Sequence, residues 1–309
     1  MLHAKRVLFV LTFLTCLSGF LSPPLALASG ILFGLFLGNP FPRESRIGSR
    51  FLLQAAVVAL GFGMNLSAVL RAGRSGFLYT ALGILFTLGV GLALGKWLRI
   101  GGNSAYLTTV GTAICGGSAI AAIAPIVHAE EDEIAVSLVT VFILNSVALF
   151  VFPPLGHLLL LSQPQFGLWA ALAIHDTSSV VGAASRFGQV ALEVGTTVKL
   201  ARALWIVPLA LVTAAVKRSK AKIQFPWFIL YFCLAAILNS YLPRFSSVFS
   251  GLFQAGRLGL TATLFLIGGS ISRDALRRVG WPPLVQGIVL WIIVGTTSLL
   301  LICSGWIHL

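Results

Sequence analysis

The sequence from 111 to 125 reads Gly111-Thr112-Ala113-Ile114-Cys115-Gly116-Gly117-Ser118-Ala119-Ile120-Ala121-Ala122-Ile123-Ala124-Pro125. Eleven of the fourteen residues before the proline are Gly, Ala, Ser, Thr or Cys. Small residues let two helix backbones approach closely within a bilayer. The pair Gly116-Gly117 also predicts a helix interrupted at this point, whose free N–H groups and positive dipole end attract an anion. The two interpretations are compatible, and both stay open here.

The composition indicates a membrane protein. Of the 309 residues, 58% are hydrophobic and only 9% are charged, whereas a soluble domain carries far more charge on its surface. Apolar runs of about 18–25 residues alternate with short polar loops, as in transmembrane helices. We count eleven spans, at residues 7–22, 25–38, 51–70, 76–95, 103–128, 134–152, 166–185, 195–216, 225–242, 248–270 and 282–305. The sequence therefore predicts an all-α, polytopic membrane protein with one domain over residues 1–309.

The basic residues predict the orientation of the chain. The net charge is +13, but Lys and Arg gather in short loops at span ends, as the positive-inside rule predicts for a membrane protein. We therefore do not expect nucleic-acid binding. With a cytoplasmic N-terminus, 14 of the 21 basic residues fall on the cytoplasmic side and 4 on the other. The C-terminus and the acidic run Glu130-Glu131-Asp132-Glu133 are then external.

The first span has two interpretations. Lys5-Arg6 and Ala26-Leu27-Ala28 together resemble a secretory signal with its cleavage site. Ser22-Pro23-Pro24 instead indicates a tight hairpin between two helices, after which the apolar run continues. We favour the hairpin, with the first helix retained.

An odd number of spans suggests one extra N-terminal helix followed by an inverted repeat. The extra helix covers 7–22, the first repeat 25–152 and the second repeat 166–305. Inverted repeats with discontinuous helices are common in secondary transporters. This register pairs span 5 with span 10, and a rival register that pairs spans 3–4 with spans 10–11 stays open.

Polar side chains interrupt the seventh span, at Ala173-Ile174-His175-Asp176-Thr177-Ser178-Ser179-Val180. Asp176 is the only acidic side chain inside an apolar span, and a carboxylate at bilayer depth is costly enough that it normally has a partner and a task. We expect His175, Asp176, Ser178 and Ser179 to line a cavity, with His175 or Asp176 binding a coupling ion. A polar stripe packed against neighbouring helices is the alternative.

Three basic residues also lie inside spans, namely Lys199 and Arg202 in span 8 and Arg257 in span 10. One buried acid among three buried bases makes the interior electropositive, which favours a small anion. Arg257 either pairs with Asp176 or compensates the charge of a bound anion, for which a guanidinium offers bidentate donors. Lys199 and Asn145 are secondary candidates, because Lys199 lies near a span end and Asn145 is typical of an interhelical hydrogen bond.

A series of motifs follows in order along most of the chain. They are Leu37-Gly38-Asn39, Gly61 with Asn65-Leu66-Ser67, the 113–122 segment with Pro125, Glu130–Glu133, His175-Asp176 with 180–184, and 198–202 with Pro208. Together they resemble the YeiH-like family of bacterial inner-membrane proteins, which carry the label sulfate exporter. The resemblance implies an inner-membrane location and a place among five-plus-five inverted-repeat transporters, a group that includes bile-acid and cation–proton carriers. Family members often have Glu at 176 and Ala at 117, where this chain has Asp176 and Gly117.

These observations favour a secondary transporter of a small, sulfate-like anion driven by a proton or sodium gradient. Gly116, Gly117 and Ser118 would hold the anion together with Arg202 and Arg257, and spans 5 and 10 would move as a core. A cation–proton antiporter on the same fold is the first alternative. An intramembrane enzyme acting on a lipid-linked substrate is the second.

Chemical motifs of other kinds are not expected. The cysteines Cys16, Cys115, Cys233 and Cys303 all lie within spans without metal-ligand spacing, so we expect neither disulfides nor a metal site. The sequence has no phosphate-binding loop with Lys-Ser/Thr, which argues against ATP drive. We therefore expect no cofactor and no catalytic residues, with the bilayer as partner and assembly into a homo-oligomer left open.

Overall fold

A computed structural model of the chain describes residues 2–64, 66–218, 226–271 and 281–307. Every regular element in these ranges is helical. The helices are α1 (Leu2–Leu17), α2 (Pro23–Leu32, continued by a π-helical turn Phe33–Leu37), α3 (Pro42–Gly61), α4 (Leu66–Trp97), α5 (Ser104–Ala113), α6 (Gly117–Ile123), α7 (Glu131–Leu158), α8 (Gln163–Ala173), α9 (Thr177–Phe187), α10 (Gln189–Leu204), α11 (Ile206–Lys217), α12 (Trp227–Tyr241), a short 3-10 turn (Pro243–Phe245), α13 (Ser246–Gly269) and α14 (Trp281–Cys303).

Among the described residues, five stretches are long and apolar enough to cross a membrane. They are Tyr79–Trp97, Asp132–Leu158, Gln189–Lys217, Pro243–Gly269 and Trp281–Cys303. Two shorter apolar helices, Pro23–Leu37 and Trp227–Tyr241, accompany them. The prediction of an all-α, multi-pass membrane protein is therefore confirmed, whereas the number of eleven spans and the inverted repeat stay predictions.

The chain folds into two compact units, each built from two separate parts of the sequence. Unit 1 consists of Met1–Val69 with Trp227–Leu276, and unit 2 of Leu70–Pro226 with Arg277–Leu309. Both units draw on each of the proposed repeats, 25–152 and 166–305.

Unit 1 is organised around α13, which runs without interruption from Ser246 to Gly269. Glycines allow its backbone to pack directly on α2, because a Cβ on Gly268 would lie 2.5 Å from the carbonyl oxygen of Leu27. The first helix packs against the same core, since the Phe9 ring lies 5.1 Å from Phe33 and 4.9 Å from Phe265. The tight hairpin predicted between the first two helices is thus present. Span 10, which the repeat pairs with span 5, is continuous.

Unit 2 contains two helical hairpins that the sequence analysis did not predict. In hairpin 1, formed by α5 and α6, the chain turns back at 114–116, so that Asn103 before α5 meets the residues that follow α6. The Asn103 amide donates to the Val127 carbonyl at 3.4 Å and to a Glu133 carboxylate oxygen at 3.1 Å. The two ends of span 5 therefore lie side by side.

Hairpin 2, formed by α8 and α9, turns back at 174–176 in the same manner. Gln163 at the start of α8 accepts a hydrogen bond from the backbone N–H of Val190, just after α9, at 3.0 Å. The rings of Phe166 and Phe187 stack with their centroids 3.9 Å apart, one from each arm. The ends of span 7 thus also lie together.

Helix α7 connects the two hairpin bases. It begins beside the base of hairpin 1, where Glu133 holds Asn103, and ends beside the base of hairpin 2, where the His157 ring stacks on Phe187 at 4.3 Å. Its 28 residues span about 42 Å at the rise of an α-helix. The hairpins therefore point toward each other from opposite ends of α7.

Spans 5 and 7, which are counted among the eleven crossings, are thus each a hairpin whose two ends lie together, and the number of crossings stays a prediction. An apolar run of about 25 residues has the hydropathy of one long helix or of two short antiparallel ones, and periodicity does not separate them. Hairpin 1 returns to the end where it started, so Glu133 lies beside Asn103, whereas the sequence predicted Glu130–Glu133 on the side opposite Lys96 and Arg99. The membrane side of this acidic run stays a prediction.

Candidate functional site

The tips of the two hairpins meet at Asn145, near the middle of α7. The Asn145 side-chain oxygen accepts hydrogen bonds from the backbone N–H groups of His175 at 3.1 Å and Asp176 at 3.2 Å. On the other side, a Cβ added to Gly116 would lie 3.6 Å from the Asn145 side-chain nitrogen and 3.6 Å from the Asp176 Cα. One side chain thus links both tips within unit 2.

The tip of hairpin 1 depends on Gly116, which has φ +66° and ψ −129°. Residues with a side chain are strongly disfavoured at these backbone angles, whereas glycine adopts them without strain and so allows the chain to reverse. The predicted interruption at Gly116-Gly117 is therefore present. The small residues also bring the arms together, because a Cβ on Gly111 would lie 2.9 Å from the Ile120 side chain.

Beyond this break, the N-cap residue Gly116 provides no side-chain cap for α6, and the Ala119 N–H is hydrogen-bonded to the Cys115 thiol. Gly117 there is half-buried and Ser118 is exposed. The first N–H groups of a helix have no partner within the helix and need one from elsewhere.

The tip of hairpin 2 differs because Asp176 caps its own helix. One Asp176 carboxylate oxygen accepts the backbone N–H of Ser178 at 3.1 Å and of Ser179 at 3.3 Å, and it also accepts the Ser178 hydroxyl. A carboxylate at this position satisfies the free N–H groups and complements the helix dipole. The donors of Ser178 and Ser179 are therefore engaged by Asp176 in this structure.

His175 is buried beside this cap, with 1% of its surface exposed. Neither ring nitrogen has a hydrogen-bond partner among the described residues, and the same holds for the side-chain nitrogen of Asn145. Buried polar atoms are normally paired, so these three nitrogens call for a water, a proton or a ligand.

Two buried cations on α10 hold the broken ends of the hairpin helices. The Lys199 ammonium donates to the carbonyls of Ala171 at 3.3 Å and Ile174 at 2.6 Å, at the end of α8. Both Lys199 and Arg202 are at most 1% exposed. Their charge complements the negative end of the helix dipole.

The Arg202 guanidinium joins the two hairpins. Its Nε donates to the Ala113 carbonyl at 2.7 Å, at the end of α5, and its Nη1 donates to the Leu172 carbonyl at the end of α8. Longer contacts at 3.4 Å reach the carbonyls of Ala171 and Thr112. The sequence analysis assigned Arg202 to an anion, and the structure shows it bound to backbone carbonyls.

Arg257 is the one candidate that lies elsewhere. It belongs to α13 of unit 1, and its side chain is exposed. Its contact with an anion stays a prediction.

A cavity of about 350 Å³ also lies within unit 2. Its walls come mainly from α4 and α14, and they include Tyr79, Phe86, Leu172, Arg202, Ser298 and Trp306. The sequence analysis missed the α14 residues, for which the only signal was a pair of hydroxyl groups, Thr297-Ser298, in an apolar run.

This arrangement defines a helical membrane protein with a polar centre built from two opposed hairpin tips. A family model described as conserved hypothetical protein 698 matches residues 7–287, and the chain belongs to this YeiH-like family. The chain is 48% identical over 288 residues to a UPF0324 membrane protein of Bacteroides thetaiotaomicron, covering 91% of this chain and 86% of the relative. It is 46% identical over 310 residues to one of Bdellovibrio bacteriovorus, covering 98% and 95%. No solved structure matches the chain.

Proposed function

We propose that this protein is a secondary transporter of a small anion, of sulfate-like character, in the bacterial inner membrane. The observation that carries the proposal is the junction at Asn145, which contacts both hairpin tips and where the buried side-chain nitrogens of Asn145 and His175 have no partner among the described residues. Opposed discontinuous elements with a polar centre are the plan of many alternating-access carriers.

The charges at this centre favour an anion. Lys199 and Arg202 are buried with only one described carboxylate, Asp176, on the same hairpin junction. An excess of buried positive charge raises the free energy of the protein unless a negative charge binds nearby. In the proposal, the Asn145 amide, the backbone N–H groups of Gly117 and Ser118, and the Ser118 hydroxyl donate to the anion.

Hairpin 2 and the coupling ion complete the proposal. His175 or Asp176 takes up the coupling ion, and the N-terminus is cytoplasmic. Among the described residues, the centre has donors without a partner and one acid, Asp176, which suits transport better than catalysis, so we do not propose an enzyme.

The test is uptake of labelled sulfate, sulfite and small carboxylates by vesicles reconstituted with the purified protein. Asn145→Asp keeps the oxygen that accepts from His175 and Asp176 but replaces the donating amide by an anion-repelling group. We expect at least one anion to accumulate, and Asn145→Asp to abolish its uptake in protein that still elutes as a folded species. Ser118→Ala should weaken uptake, whereas the matched Ser185→Ala, whose hydroxyl bonds within α9, should leave it unchanged.

The same vesicles discriminate the alternatives. A cation–proton antiporter would change the internal pH when sodium or potassium is added, with no anion requirement. Turnover of a labelled lipid in detergent would instead indicate an intramembrane enzyme. Either result, without anion uptake, refutes the proposal.

A further inference from the structure

The ends of α5 and α8 at the hairpin tips carry carbonyl groups that a continuous helix would have bonded internally. The last carbonyls of a helix have no partner in the helix, and in the interior of a membrane each needs one. Here Lys199 and Arg202 supply the partners. The carbonyls that accept from them are those of Thr112, Ala113, Ala171, Leu172 and Ile174.

Groups of this kind have another use in membrane carriers. Unwound carbonyls and half-helix C-terminal ends are where sodium-coupled transporters bind their sodium ion. At this junction, the same groups coordinate an ammonium with O···N distances of 2.6 and 3.3 Å to Ile174 and Ala171. A sodium ion placed on these oxygens would displace Lys199 or stand beside it at strongly repulsive range.

We infer that Lys199 and Arg202 are built-in cations that take the place of a sodium ion, so that the site works without sodium. The inference rests on the proposed transport function for its consequence, because a carrier with its cation sites filled by side chains cannot be driven by sodium through them. The inference therefore favours the proton over sodium as the coupling ion, because side-chain cations already occupy the carbonyl groups at the hairpin ends. The anion preference of the centre is a separate matter.

The first test needs no transport substrate. The melting temperature of the purified protein is measured in NaCl and in choline chloride at equal ionic strength and pH. We expect the wild-type Tm to be the same in both salts. A saturable rise of the wild-type Tm with sodium would overturn the inference, since a ligand that binds the native state raises its Tm by mass action.

Removing the ammonium should create a sodium site. Lys199→Ala removes the ammonium from the Ile174 carbonyl, leaves the Ala171 carbonyl with only its 3.4 Å contact from Arg202, and leaves space beside them. We expect its Tm to be lower than that of the wild type in choline and to recover, saturably, with sodium. Lys199→Met removes the charge but fills the space, so its Tm should show no sodium effect.

The exposed Lys217 at the end of α11 supplies the matched control. Lys217→Ala removes one positive charge outside the junction, and its Tm should be equal in sodium and choline. A sodium effect in Lys199→Ala that also appears in Lys217→Ala would be a general salt effect and would overturn the assignment. So would a Lys199→Ala variant that sodium does not stabilise. If this variant yields folded protein only when purified in sodium, that requirement is itself the expected rescue.

Vesicles then separate this inference from the proposed function. Anion uptake that requires a sodium gradient would leave the transport proposal intact and refute the inference. Absence of any anion uptake, together with a sodium-stabilised Lys199→Ala, would refute the transport proposal while the replacement of sodium by Lys199 stands. Sodium-independent anion uptake supports both.

Discussion

Asn145 and Asp176, thirty-one positions apart in sequence, are joined by a hydrogen bond of 3.2 Å from the Asp176 N–H to the Asn145 side-chain oxygen. Because the same oxygen also accepts from His175, the non-helical tip of hairpin 2 is fixed to the middle of α7. The polar centre is therefore positioned by a helix that reaches both hairpin bases.

Replacing Asn145 by alanine should destabilise the protein. The change leaves two buried N–H groups without an acceptor, and each such loss costs about 1–3 kcal/mol. We expect a clear fall in Tm in detergent, measured by tryptophan fluorescence. Ser146→Ala is the control on the next position of α7, because the Ser146 hydroxyl bonds only within its own helix, and its Tm should stay near that of the wild type. Equal Tm values for the two variants would contradict the role of Asn145.

Two substitutions should distinguish the effect of the Asp176 charge from the effect of its capping oxygen. Asp176→Asn keeps an oxygen that can accept from the N–H groups of Ser178 and Ser179, whereas Asp176→Ala removes the cap at a cost of about 0.5–2 kcal/mol. We expect Asp176→Ala to lower the Tm and Asp176→Asn to keep it close to wild type. In vesicles, both should lose coupled transport. Normal transport by Asp176→Asn would show that the carboxylate only caps α9.

Gly116 should not tolerate a side chain. Its φ of +66° with ψ −129° lies where residues other than glycine are strained by about 1–3 kcal/mol, and a new Cβ would also meet Val141 at 3.2 Å. We expect Gly116→Ala to lower the Tm and to reduce transport. Gly89→Ala in the helix α4, where a Cβ would meet nothing within 4 Å, should be neutral or slightly stabilising. The reverse order of the two variants would contradict this account of the tip.

The sequence predicted the polar residues of this centre better than it predicted the path of the chain through it. Gly116 and Asp176 could be singled out because a glycine pair and a lone carboxylate are rare inside apolar runs. The reversal of the chain after each of these residues could not be predicted, because hydropathy is the same for a helix that continues and for one that turns back. The charge pattern could not reveal them either, because two successive reversals leave the predicted sides of the basic residues beyond span 7 unchanged.

The carbonyl contacts of Arg202 could not be predicted, for a related reason. A buried guanidinium in a sequence suggests an anionic partner, and a contact with an anion was the natural expectation. Its actual partners are carbonyls such as that of Ala113, which every residue possesses and which no composition reveals. Only the positions of the helix ends determine which carbonyls are free, and those positions follow from the tertiary fold.

The hairpins themselves can be tested by labelling from one side of the membrane. Single cysteines are introduced at Gly101, Ala129, Leu158 and Gln189, after the four native cysteines have been replaced, and a membrane-impermeant maleimide is added to intact cells or to inverted vesicles. Gly101 and Ala129 flank hairpin 1, so both should react from the same side. Leu158 and Gln189 flank hairpin 2 at the other end of α7, so both should react only from the opposite side.

Helices that cross the membrane without turning back predict a different labelling pattern for the same four positions. If span 5 crossed, Gly101 and Ala129 would react from opposite sides, and if span 7 crossed, so would Leu158 and Gln189. Because each pair brackets only one hairpin, the two reversals are tested independently, and α7 supplies the internal control since Ala129 and Leu158 must differ in either case. Labelling of Ala129 and Leu158 from one side would show that α7 does not cross, and the opposed-hairpin centre at Asn145 would then be wrong.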